Sequence, residues 1–107
     1  MALRHARSGD VVDVRAYGAQ IGETQSFALF KAHQLEVMRL VLPAGHRMPT
    51  HQVPGEVTLQ CLEGQVRVDV DGQPRDLPAG HLMHLAGGVP HALQAEQTAS
   101  VLVTIAL

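Results

Sequence analysis

Apolar residues in this chain fall in short runs, most of them followed by a turn signal that contains glycine or proline. No stretch of more than a few residues shows the 3.6-residue spacing of an amphipathic helix. Val66, Val68 and Val70 instead alternate with Arg67 and Asp69, which is the period of two of a half-buried strand. Asp71-Gly72 follows at once and predicts a type I′ hairpin turn, whose two central residues both need positive φ. The return strand covers 73–77, and Pro78-Ala79-Gly80 closes it. The same reading places strands over 11–14, 26–31, 34–42, 57–62, 65–70, 82–86, 91–95 and 100–106, with Glu63-Gly64 as a turn. Residues 46–55 contain Pro49, Pro54 and Gly55. They are expected to be irregular or edge-like, because proline cannot donate to a ladder.

Nine or ten short strands and no helix predict an all-β chain. Its apolar strands need cover on both faces, as a sandwich or a closed barrel provides. The length of 107 residues suits one domain over 1–107, with 1–9 expected as a flexible lead. At 46% hydrophobic and 17% charged residues the composition is that of a folded chain. The net charge is −2 and Lys31 is the one lysine, so no basic face for nucleic acid is expected. A single cysteine, Cys61, excludes an internal disulfide and a multi-cysteine zinc site. The first ten residues lack an apolar signal core, and no run approaches the ~20 apolar residues of a membrane span. A soluble cytoplasmic protein without membrane contact is expected. Seven histidines raise the question of a metal.

Two glycine-anchored patterns sharpen the picture. Gly45 is followed after five residues by His51, with Gly64 thirteen further on (GHRMPTHQVPGEVTLQCLEG). Gly80 is followed by Ala86, Gly88 and His91 (GHLMHLAGGVPH). Together these stretches, about residues 45–95, resemble the two motifs of the cupin superfamily, and the chain is similar to small single-domain cupins of the RmlC-like type. The resemblance implies a double-stranded β-helix, or jelly-roll barrel. It also implies a divalent transition metal (Fe, Zn, Mn, Ni or Cu) held by two histidines and a glutamate of the first motif and one histidine of the second, with no organic cofactor. Carried over by position, those ligands include His51 and His91. Val53 stands in the second histidine slot, and Val57 stands in the glutamate slot with Glu56 one residue early. Ala86 and Ala95 replace the second motif's proline and asparagine.

His51, His91 and Glu56 could make a facial triad of two imidazoles and a carboxylate, leaving positions open for water, oxygen or substrate. Glu56 would be the third ligand or a general base. His51 and Glu56 are five apart, which puts them on opposite faces of an unbroken strand. A bulge at Pro54-Gly55 would turn Glu56, Thr58 and Gln60 inward; without one, Val57, Leu59 and Cys61 face the core. His46 and His84 are alternates for missing ligands, while His5, His33 and His81 read as surface residues. Gln60, Met38 and Cys61 are candidate pocket residues, with core filling the simpler role of Cys61, Met38 and Met83. Arg39, inside an apolar strand, either faces a pocket and pairs with an anionic ligand or lies at a wet edge or an interface.

The resemblance admits oxygen-dependent cleavage, isomerisation or epimerisation of a small molecule. A metal-free module that binds or senses a small ligand is the alternative, and a barrel with a vestigial pocket is a third. Apolar residues on both faces of 34–42 and 100–106 point to a homodimer.

Overall fold

The computed structural model describes residues 5–107. Its seven strands are β1 (Phe27–Lys31), β2 (Leu35–Leu42), β3 (Arg47–His51), β4 (Val57–Val70), β5 (Gln73–Pro78), β6 (Leu82–Leu85) and β7 (His91–Ala106). A short 3-10 turn, Gly18–Glu23, precedes them. The all-β expectation holds, and every pairing is antiparallel. Of the expected lead, residues 1–4 lie outside the described residues; the Ala6 amide donates to the Leu29 carbonyl of β1.

Seven strands stand where nine or ten short ones were expected. The 57–62 and 65–70 runs are one strand, β4, and the 91–95 and 100–106 runs are one strand, β7. The two pair along their length, from Val57 opposite Ile105 to Val70 opposite His91. Glu63-Gly64 is therefore a corner within β4, with register shifts between Cys61 and Val66. Gly64 makes the corner possible. Its φ is +76°, and a Cβ there would strike the Thr98 carbonyl and Ala99. The run at 11–14 forms no ladder, and Val11 is 98% exposed.

The corner divides the sheet into two layers. On one side of it β7 pairs with β2, and β6 borders the first half of β4. On the other, β7 pairs with β3 and β5 borders the second half of β4. Leu59, Cys61, Val101 and Val103 from the first layer meet Val66, Val68, Leu77 and Leu93 from the second in one core. Burying each larger aliphatic side chain contributes about 1.5–3 kcal/mol. The Asp71-Gly72 turn has φ of 51° and 82°, as the type I′ reading requires.

Candidate functional site

His51 ends β3, an edge strand that pairs with β7. Its ladder slips between Met48 and His51, across Pro49, which has no N–H to give. The slip brings His51 opposite His91, the first residue of β7, and Val70 pairs with His91 on its other side. The two imidazole centroids are 4.4 Å apart and tilted by 56°. His91 is 4% exposed, while His51 is open to solvent. Nδ1 of His91 lies 3.0 Å from the Val89 carbonyl, and Nδ1 of His51 lies 3.4 Å from the Pro49 carbonyl. A carbonyl can only accept, so Nδ1 of His91 is the donor in this contact, and in the neutral ring Nε2 then carries the lone pair. Behind the pair the interior is apolar, with Met48, Val53, Val70 and Val89 partly buried against the core.

Glu56 does not join this pair. The bulge that would turn it inward is not made, and Val57, Leu59 and Cys61 are the buried residues of β4. Glu56 faces outward, its carboxylate 3.6 Å from Nε2 of His84 with both side chains exposed. Both line a shallow groove with Leu35, Thr58 and Thr104. The core won this register: three apolar side chains inward outweigh one carboxylate, whose burial without a partner is costly. Gln60 shares the outward face of Thr58, opposite Leu102 of β7, so it does not line the barrel interior. Cys61 is fully buried, and Met38 packs against the core. Burial pushes the Cys61 thiol pKa up. His46 is exposed at the turn before β3, and its carbonyl accepts from Ala95. His5, His33 and His81 are exposed. Among the described residues, no three His, Cys, Asp or Glu side chains gather as a metal-holding group.

Arg39 faces a groove, as one of the two sequence alternatives had it, but its charge is met from within the chain. It is 1% exposed, and its anionic partner is the chain's own Glu63, 3.1 Å away. The run of apolar neighbours around Arg39 signalled something unusual; Glu63, Ser100 and Tyr17, which complete its surroundings, carried no such signal.

An antiparallel barrel bent about a glycine corner, with histidines from both glycine-anchored motifs at one mouth, is the architecture of a cupin. A cupin-domain family model matches residues 38–106, and the chain belongs to the cupin family. A conserved protein of unknown function from Streptococcus pyogenes is 19% identical; the match covers 99% of this chain and 94% of that one, with a TM-score of 0.76. A cupin superfamily protein from Desulfitobacterium hafniense is 16% identical over 95% of this chain and 99% of that one, with a TM-score of 0.78. Salicylate 1,2-dioxygenase from Pseudoaminobacter salicylatoxidans is 27% identical over 67% of this chain but 21% of its own length, with a TM-score of 0.63. None of the curated proteins compared matches the sequence. Cupins commonly bind transition metals. The donors here do not fit the three- or four-ligand form of such a centre: two imidazoles meet, Val57 holds the glutamate slot, and Glu56 is on the other face. Among the described residues, no helix is long and apolar enough to cross a membrane.

Proposed function

We propose that this cupin binds a small organic molecule at the His51–His91 pair without a resident metal ion. The carrying observation is the pair itself: two rings 4.4 Å apart at the end of an apolar interior, with no third ligand gathered beside them among the described residues. The Nε2 lone pair of His91 accepts a hydrogen bond from a hydroxyl or carboxylic acid group. Val70 and Val89 beside it suit an apolar body. Two neutral imidazoles hold a divalent ion more weakly than a set that includes a carboxylate, because nothing offsets the ion's charge.

The adjacency of the rings also supports a second reading. In it an iron, zinc, manganese, nickel or copper ion sits on the two imidazoles, and the chain is an enzyme of dioxygenase or isomerase type. The dioxygenase relative supports that class. Elemental analysis of purified, untagged protein and calorimetric titration with each ion separate the two. The metal-free reading expects no stoichiometric metal and no saturable uptake. It also expects a thermal-shift screen of small hydroxylated and carboxylic compounds to yield ligands whose effect is lost in His91→Ala. About one equivalent of metal per chain, lost in His51→Ala, would replace it with the metal reading.

In the same reading the chain works as a cytoplasmic homodimer. The outward faces of β2 and β7 carry half-buried Val37, Val41, Leu102 and Thr104, which suit a second copy better than water.

A further inference from the structure

Residues 13–23 cross the outward face of the sheet without joining it. No residue of the 3-10 turn is buried, and among the described residues no backbone-to-backbone hydrogen bond ties 11–25 to a strand. The segment is attached through side chains of the sheet. Tyr17 has φ −76° and ψ −22°, and Gly18 has φ +66°. This right-handed then left-handed sequence turns successive amides toward one point and makes an anion-binding nest. The Glu63 carboxylate of β4 occupies it. Tyr17 N–H donates to Oε2 at 2.8 Å and Gly18 N–H to Oε1 at 3.1 Å. Arg39 of β2 completes the attachment. Its Nη2 donates to the Arg15 carbonyl at 2.8 Å and to Glu63 Oε2 at 3.1 Å, and its guanidinium carbon lies 3.7 Å from the Tyr17 ring centroid.

We infer that residues 13–23 are a strap, latched shut by the Glu63 carboxylate, that opens as a unit when the carboxylate loses its charge. Opening uncovers Arg39 and Phe27, which with Asp13, Arg15, Ala16 and Tyr17 line a groove of about 410 Å³ between strap and sheet. The inference does not depend on what the histidine pair binds.

The groups facing Glu63 set the direction of the response. Arg39 faces it from β2, the Ser100 hydroxyl from β7 at 2.9 Å, the two amides from the strap, and the Cys61 thiol lies on its own strand. Burial alone would raise the Glu63 pKa. The Tyr17 amide, the Ser100 hydroxyl, the Gly18 amide and the Arg39 charge outweigh burial and hold it below the usual 4.5. A carboxyl lowered in the closed form favours closure at pH above 4.5 and loses that contribution as pH falls through the lowered value. Asp13, the other carboxylate at the groove, is held at about 2 chiefly by its hydrogen bonds from Arg15, so it stays charged through the start of that window.

Tyr17 is the one tyrosine and the chain has no tryptophan, so ultraviolet fluorescence reports on the strap directly. The experiment measures acrylamide quenching of Tyr17 in the full chain as pH falls from neutral, with circular dichroism following the strands. The expected result is a severalfold rise in quenching below pH 4.5 while the strand signal holds, with a midpoint independent of protein concentration. Glu63→Gln, which keeps the shape and removes the charge, should be quenched at neutral pH and show no such transition. Ser100→Ala, which removes one hydrogen bond to the carboxylate, should open at higher pH than the parent. It keeps the test decisive if Glu63→Gln fails to fold. The inference is overturned if Tyr17 stays shielded until the strand signal is lost. It is equally overturned if Ser100→Ala titrates as the parent does, or if the midpoint moves with concentration as subunit dissociation would make it.

Discussion

His91 sits deeper than its partner in the pair. It is buried, yet its side-chain partner is a single carbonyl two residues back. His51→Ala should change unfolding free energy by less than about 1 kcal/mol, as exposed substitutions do. Both His51→Ala and His91→Ala should abolish ligand-induced thermal shifts, and full retention in both would remove the pair from the site. Cys61 is a side chain that reads as reactive and is not. It is fully buried, burial pushes its thiol pKa up, and Sγ donates to the Glu63 carbonyl at 3.4 Å. Labelling by a thiol reagent should therefore proceed at the rate of unfolding, and fast labelling of folded protein would contradict this packing. His51 and His91 were legible in the sequence because glycine spacing marked their motifs. The outward direction of Glu56 was not, since parity across Pro54-Gly55 depends on whether the chain bulges there.

The elements were most legible where the code is local. Alternation along 65–70 and the Asp71-Gly72 pair specified a hairpin because strand period and positive φ are properties of adjacent residues. The corner at Gly64 was misread as a turn for the same local reason. A glycine with positive φ serves a hairpin or a bend, and the long pairing of β4 with β7 selects the bend. Gly64→Ala is expected to cost about 2–3 kcal/mol, since it strains the backbone and also presses a methyl group on Thr98 and Ala99. Urea unfolding with an unchanged slope would measure it. A loss below about 0.5 kcal/mol would show that the corner relaxes.

For the whole molecule, the half-buried face on β2 and β7 leads to the expectation of association with a like copy. Light scattering should give about twice 11.5 kDa, and Leu102→Glu should return the mass to that of one chain. A single-chain mass for the parent would leave that face to the strap alone.

Sequence alone determined that the chain is all-β, where most strands lie, which turns are tight, and which two histidines belong to the paired motifs. Those features follow from side-chain period and backbone preference within a few residues. Tertiary structure alone decided three others. It joined four short runs into β4 and β7, because each half of those strands finds a different neighbour across the corner. It turned Glu56 out and Val57 in, because the core takes the apolar set. It joined Arg39 to Glu63, 24 residues on, and to Ser100, 61 residues on. Such partners meet only once the sheet has closed, and a buried charge is tolerated only where its counter-charge and hydrogen bonds meet it.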